Sequence, residues 1–209
     1  MAKDVVFYTN PMSRGRIVRW MLEEIGCPYS TKIVDYGPAM QAADYLAINP
    51  LGKVPAIRHG SQLVTECAAI CAYLADAFPD AGLAPPPVER GNYYRYLFFA
   101  AGPLEQATTN HHLGFEPEGP RDQGMAGYGT FTRTMNALEN LVPAKGFVAG
   151  KTFSAADVYF GSHIGWGLEF GSIEARPGFA DYWARVSDRP ARRRAKEIDD
   201  AALPKEAED

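Results

Sequence analysis

The stretch that decides the fold runs from Asn49 to Cys67 and reads Asn-Pro-Leu-Gly-Lys-Val-Pro-Ala-Ile-Arg-His-Gly-Ser-Gln-Leu-Val-Thr-Glu-Cys. Two short apolar runs, Val54–Ile57 and Leu63–Val64, flank a His-Gly-Ser turn signal, and this pattern predicts a β-hairpin. Because Pro55 has no N–H to give to a ladder, the first strand is expected to lie at a sheet edge or to end at the proline. An edge strand leaves backbone groups free for a peptide-like ligand.

Charged residues and a helix start adjoin this hairpin. Lys53 precedes the first run, and Thr65-Glu66-Cys67 opens an apolar pattern of helical spacing. The unpaired N–H groups at the start of a helix favour a bound carboxylate, and Glu66 is placed to hold an ammonium group. The stretch therefore predicts a site that grips a short zwitterionic peptide along its length.

Lys53-Val54-Pro55 followed by Glu66-Cys67 resembles the glutathione-binding stretch of cytosolic glutathione transferases, where the usual residues are Lys-Val-Pro and then Glu-Ser. The resemblance, to bacterial members of the Ser-using or beta-like kind, extends over nearly the whole chain. It implies that the Val-Pro bond is cis and that these five residues bind glutathione. The contact at Cys67 is then mainly through its backbone N–H.

The composition narrows the class of protein. Of the 209 residues, 46% are hydrophobic, which is enough for a substantial core. A net charge of −4 and a pI of about 5.6 do not suggest a nucleic-acid partner. Three cysteines are too few for a disulfide framework and fit a reducing compartment. No signal peptide and no apolar run approaching the ~20 residues of a membrane span are found, so we expect a soluble cytoplasmic protein.

The first 79 residues read as a thioredoxin-like domain, with a parallel strand pair joined by a helix and then an antiparallel hairpin. Asn10-Pro11 is a helix start signal, and Gly26 closes that helix. The predicted elements before and around the hairpin are strands Val5–Tyr8 and Tyr29–Val34, a short helix Met40–Leu46, and a helix from Glu66 to about Ala77.

Beyond a Pro/Gly-rich linker at residues 78–87 the pattern is helical throughout. The predicted helices are Glu89–Leu113 with a kink at Gly102-Pro103, Tyr128–Leu141, one within Phe147–Phe170, Tyr182–Val186 and Pro190–Ile198, with a loop at Phe115–Gly127. The fold class is thus α/β followed by an all-α helical bundle. The predicted divisions are residues 1–79, residues 88–200 and a disordered tail at residues 201–209.

Ser154 and Asp157 stand three residues apart before an apolar run, which is a capping-box arrangement. The transferases have a similar Ser/Thr-x-Ala-Asp motif that starts a buried helix of the second domain. We interpret both residues as structural.

Transferase chemistry needs a thiolate, and a thiol of pKa about 8.5 is largely protonated at pH 7. A hydrogen-bond donor beside the sulfur and the positive end of a helix both lower that pKa. The donor is expected at the end of the first strand or the first turn of the first helix, where Tyr8, Asn10 and Ser13 qualify. The family uses Tyr, Ser or Cys there, and the beta-class cysteine aligns with Ser13, so we favour Ser13. Arg14 or Arg16 would add positive potential beside the sulfur, although we interpret them first as part of a solvated helix face.

The second substrate is expected, by the same resemblance, between the two domains and against the kinked helix. Met12, His112 and Trp166 are the candidates for contacting it. His111 and His112 have no third ligand nearby, so we predict no metal. The resemblance implies glutathione as co-substrate and no bound cofactor. The basic run at residues 189–196 reads as a solvated face.

The predicted function is conjugation of reduced glutathione to small hydrophobic electrophiles by a homodimer. One alternative is a non-catalytic binding or regulatory module of the same fold, which the presence of Lys53 and Glu66 disfavours. Another is a glutathione-dependent isomerase, dehalogenase or peroxidase. Such isomerases usually carry a Ser-Ser-Cys-type motif, which Met12-Ser13-Arg14 lacks.

Overall fold

A computed structural model describes residues 4–204 of the chain. Its strands are β1 Val5–Thr9, β2 Tyr29–Ile33, β3 Ala56–His59 and β4 Gln62–Thr65. They form one sheet in the order β2-β1-β3-β4, in which β1 and β2 run parallel while β1–β3 and β3–β4 are antiparallel. With a helix joining the parallel pair, this topology confirms the predicted thioredoxin-like fold.

β3 is a central strand, so the prediction that it lies at a sheet edge is wrong. Its ladder begins at Ala56, one residue after Pro55, which agrees with the alternative that the strand ends at the proline. The missing N–H of Pro55 thus costs the sheet no hydrogen bond. Lys53 and Val54 extend past the ladder, where the sheet does not use their backbone groups.

The helices around the sheet are α1 Gly15–Ile25, α2 Ala43–Leu46 and α3 Cys67–Ala77, with a 3₁₀ turn at Pro38–Gln41. Gly26 ends α1 in the left-handed region and donates its N–H to the Leu22 carbonyl, as predicted. α1 packs on β1 and on α3. The apolar stripe from Ile17 to Leu22 is buried against them.

The remaining helices are α4 Gly91–Phe99, α5 Glu105–His112, α6 Gly119–Met125, α7 Phe131–Leu141, α8 Ala155–Glu169, α9 Phe179–Ser187 and α10 Pro190–Ala201, with 3₁₀ turns at Pro79–Ala81 and Pro87–Glu89. The predicted kink is a π-helical segment, Ala100–Leu104, that contains Pro103. α6 lies in the region predicted as a loop, because glycine and proline lowered its helical signal although Pro120 suits a first turn. Within residues 4–204, no helix is both long and apolar enough to cross a membrane.

The capping box at the start of α8 is confirmed. The Asp157 carboxylate is fully buried and accepts hydrogen bonds from the Val148 N–H (2.9 Å), the Ser154 N–H (3.0 Å), the Ser154 hydroxyl (3.0 Å) and the Tyr182 hydroxyl (3.0 Å). It therefore ties the preceding loop and α9 to the first turn of α8.

The chain divides into two compact units, of which the second is Gly82–Asp188. The first joins the sheet region, up to Ala81, to the segment that begins at Arg189. α10 thus groups with the sheet, whereas the sequence-based division placed it among the helices of residues 88–200. The predicted disordered tail is wrong at Ala201, which is the last residue of α10, and residues 205–209 lie outside the described residues.

Candidate functional site

The residues predicted to bind glutathione all lie in the first unit, where β3 begins and β4 ends. Ala56 pairs with Tyr8 of β1 on one side and with Thr65 of β4 on the other. β1 therefore ends, and β4 ends, beside the place where β3 begins. The turn before α1, the segment before β3 and the start of α3 therefore adjoin one another.

Asn10 shapes the turn of residues 10–14, which we call the Ser13 turn. The Asn10 amide is buried, donates to the Val34 carbonyl (3.2 Å) and accepts the Met12 N–H (3.0 Å). The prediction that the helix starts at Asn10-Pro11 is wrong, because α1 begins only at Gly15 and the Asn10 amide is occupied by the turn. Because the nitrogen and the oxygen of its side-chain amide are both hydrogen-bonded, we interpret Asn10 as a structural residue.

The Ser13 hydroxyl lies directly before α1 and is partly exposed. It donates to the Asn10 carbonyl (2.6 Å) and accepts the Gly15 N–H (2.9 Å). The Asn10 carbonyl also accepts the Ser13 N–H (3.0 Å), so it keeps a partner if the hydroxyl rotates toward a ligand. A hydroxyl that accepts an N–H bond is polarised and becomes a better donor.

Tyr8 lies on the other side of the sheet from α1. Successive strand residues face opposite ways, and the neighbouring Phe7 ring contacts Arg19 of α1, with 5.1 Å from its centroid to the guanidinium carbon. Tyr8 instead packs in a cluster with Val34, Met40, Tyr45 and Ala56. This placement fits a packing role beneath the site.

Two side chains hold the backbone of the segment before β3. The Lys53 carbonyl accepts hydrogen bonds from the Tyr45 hydroxyl (2.7 Å) and the Asn49 amide (2.8 Å). Burial, with a smaller contribution from Tyr8, raises the pKa of Tyr45 to about 12. The Lys53 side chain is exposed, and the Val54–Pro55 bond is cis, as predicted.

The start of α3 has an unusual backbone. Glu66 has a φ of 65° and is the one non-glycine residue with positive φ in the described part of the chain. For an L-residue this conformation is disfavoured and is typical of functional sites. Its side chain is exposed, while Cys67 is buried and its thiol lies 3.7 Å from the Arg14 carbonyl oxygen. The start of α3 thus contacts the Ser13 turn.

The three candidates for the second substrate differ in their surroundings. Met12, in the Ser13 turn, is 59% exposed. In the second unit, His112 is exposed at the end of α5, and Trp166 is half-buried on α8. His111 is engaged by Glu116 (2.8 Å) and stacks on Phe131, and no His, Cys, Asp or Glu cluster among residues 4–204 would hold a metal ion.

Two residues that the sequence did not single out, Gly15 and Asn49, also shape the site, and Arg16 makes a contact there that the sequence did not predict. A Cβ at Gly15 would lie 1.8 Å from the Thr9 hydroxyl oxygen, so only glycine lets α1 start this close to β1. Arg16 donates from Nε to the Pro11 carbonyl. Asn49 also accepts the Leu51 N–H (3.1 Å), and its Asn-Pro dipeptide is the one local signal that pointed to it.

Comparison with known proteins agrees with this fold. Residues 12–77 match the family model of the glutathione S-transferase N-terminal domain. Glutathione S-transferase A of Pleuronectes platessa is 29% identical over 173 residues, which are 78% of this chain and 77% of that protein. A glutathione transferase structure from Methylococcus capsulatus is 29% identical with a TM-score of 0.76 and covers 94% of this chain and 99% of its own. A sphingomonad glutathione S-transferase complexed with glutathione is 26% identical with a TM-score of 0.73, covering 93% and 98%.

Proposed function

Because this chain belongs to the glutathione S-transferase family, we propose that it binds reduced glutathione and transfers the thiolate to small hydrophobic electrophiles. Glutathione is the co-substrate in this proposal, and no other cofactor takes part. The glutathione-bound relative supports the choice of ligand. The exposed cationic side chain of Lys53 and the positive start of α3 suit its carboxylates, and the Glu66 carboxylate suits its ammonium group.

The observation that carries the proposal is the Ser13 hydroxyl, which Gly15 orients at the start of α1. Rotated away from the Asn10 carbonyl, its O–H donates to the glutathione sulfur and stabilises the thiolate over the thiol. The thiolate then forms a bond to the carbon of the electrophile, and the leaving group departs with the bonding electron pair. Positioning and the lowered thiol pKa are the protein's contribution.

The test compares wild type with Ser13→Ala in a pH–rate profile with an aryl halide and glutathione. Loss of a hydrogen bond to a charged sulfur, worth about 1.5–3 kcal/mol, lowers kcat roughly 10- to 150-fold. The apparent pKa of bound glutathione rises in the same variant. Ser61→Ala, in the exposed turn between β3 and β4, is the matched control and leaves both quantities unchanged.

Other results would redirect the assignment. An unchanged pH–rate profile in Ser13→Ala, with loss of activity in Tyr8→Phe, would transfer the role to Tyr8. Glutathione binding by calorimetry without turnover of aryl halides, epoxides, peroxides or disulfides would identify a non-catalytic binding module. Turnover of peroxides or disulfides alone would favour a peroxidase or reductase.

We also propose that Met12, His112 and Trp166 contact the electrophile and that the protein acts as a cytoplasmic homodimer. Two exposed aromatic side chains one turn apart on α4 support the dimer: Tyr94 is 42% exposed and Phe98 is 72% exposed. Light scattering after size-exclusion chromatography should give twice the chain mass of 22.9 kDa. A mass of one chain would contradict the dimer.

A further inference from the structure

α10 is joined to α1 by a series of ion pairs. The pairs are Arg16–Asp200, Arg19–Asp199, Glu23–Arg194 and Glu24–Arg189, with N–O distances of 2.7, 2.7, 3.2 and 2.6 Å. Numbers rise along α1 as they fall along α10, so the two helices are antiparallel. The end of α10 therefore lies beside the start of α1, and the basic run is not simply a solvated face, because Arg189 and Arg194 are ion-paired.

Arg16 connects this end of α10 to the Ser13 turn. Its Nε donates to the Pro11 carbonyl, and its Nη1 donates to Asp200 Oδ1 at 2.7 Å. Pro11 is buried and stands between Asn10 and Met12 in the turn. One guanidinium thus bridges α10 and the backbone that presents Ser13.

Asp200 is held in place as an ion. Hydrogen bonds from Lys196 and then from Arg16 lower the pKa of its carboxyl, so it stays charged. The Arg19–Asp199 pair lies beside it, with side-chain exposures of 2% and 1%. Arg19 also donates to the Tyr29 and Thr31 hydroxyls of β2, so this buried pair fixes the register of α10 on α1.

We propose that Arg16 is a positioning residue for thiolate formation and that Asp200 sets its geometry, so that the C-terminal helix tunes the Ser13 turn. This inference rests on the proposed transferase function. The planar fork of an arginine holds two acceptors at fixed angles, which a lysine ammonium does not do. Without the Asp200 charge the fork is free to rotate away from the Pro11 carbonyl, and the turn that orients Ser13 loosens.

The experiment compares Asp200→Asn and Arg16→Lys with the control Arg194→Gln, which removes another ion pair between the same two helices. We expect Asp200→Asn to lower kcat roughly 3- to 10-fold and to raise the apparent pKa of bound glutathione, while KM for glutathione changes less than about twofold. Arg16→Lys keeps the positive charge and should show the same loss. Arg194→Gln should match wild type in kcat and pKa, with a melting temperature lowered as much as in Asp200→Asn.

A second measurement does not depend on catalysis. The amides of Met12, Ser13 and Gly15 are protected by hydrogen bonds within the turn. In the unliganded protein, their hydrogen exchange should be roughly fivefold faster or more in Asp200→Asn and unchanged in Arg194→Gln. If wild type shows no glutathione turnover, the proposed function fails and this exchange result alone decides the link between α10 and the turn.

Two outcomes would overturn the inference. Full activity in Arg16→Lys would mean that the positive charge, rather than the fork, is what the site uses. Equal kcat loss or equal exchange in Arg194→Gln and Asp200→Asn would mean that the ion pairs only anchor α10.

Discussion

Asp157→Asn tests whether one carboxylate holds the centre of the second unit together. The carboxylate accepts four hydrogen bonds, two from the backbone N–H groups of Val148 and Ser154 and two from the Ser154 and Tyr182 hydroxyls. An asparagine offers one oxygen and one NH₂ group at the same place. Whichever way the amide is turned, its NH₂ faces one of the two backbone N–H groups, which then has no acceptor.

The expected loss in the free energy of unfolding follows from the number of hydrogen bonds that Asp157 accepts. A buried N–H left without a partner costs about 1–3 kcal/mol, and the surviving bonds lose the strength that a charged acceptor gives them. Burial raises the pKa of Asp157, so removing the charge also relieves some desolvation. We expect a net loss of about 2–4 kcal/mol, which lowers the melting temperature by roughly 4–16 °C in a chain of this size.

The assay is urea denaturation followed by tryptophan fluorescence, with calorimetry for the melting temperature. Asp181→Asn is the matched control, because Asp181 is exposed in the first turn of α9 and its charge is worth at most about 1 kcal/mol there. Tyr182→Phe removes a single donor and should cost about 1 kcal/mol. A loss in Asp157→Asn no larger than in Asp181→Asn would refute the reasoning.

Two further predictions concern the first unit. Gly15→Ala places a methyl group 1.8 Å from the Thr9 hydroxyl oxygen, so urea denaturation should show a loss of about 1–3 kcal/mol, whereas Gly124→Ala, which meets nothing within 4 Å, should be nearly neutral. Equal stability of the two variants would contradict the close approach. Burial raises the pKa of Tyr29 and of Tyr45 to about 12, so the folded state keeps protons that the unfolded state loses near pH 10. Their contribution to stability should therefore be constant below pH 10 and be lost as pH rises toward 12. A loss of circular dichroism over this range that was just as large in the double variant Tyr29→Phe/Tyr45→Phe would argue against it.

Much of the fold could be predicted because its signals are local. Gly26 ends α1, the Ser154–Asp157 spacing starts α8, and the His-Gly-Ser turn joins β3 to β4. Each of these depends on residues at most four apart, whose contacts helix or hairpin geometry imposes directly. The family resemblance added the cis bond before β3, which periodicity alone does not indicate.

Part of the candidate site could be predicted in the same way, since Ser13 and Glu66 each stand beside a predicted element boundary. The hydrogen bonds that hold the backbone around these residues could not be predicted in this way. Asn10 reads locally as a helix cap, yet its amide is taken by Val34, which is 24 residues away. The Lys53 carbonyl is held by Tyr45, which no short-range pattern connects to it.

The sequence by itself determined the plan of a thioredoxin-like part followed by a helical part, and it supplied the residues that we propose carry the chemistry. Only the tertiary structure decided that β3 is central and that α10 returns to α1, where Arg19 and Asp199 meet across 180 positions. Both depend on burial against surfaces formed elsewhere in the chain. A charged residue looks the same in sequence whether it faces water or a buried partner, because the partner's position is set by the packing of whole elements.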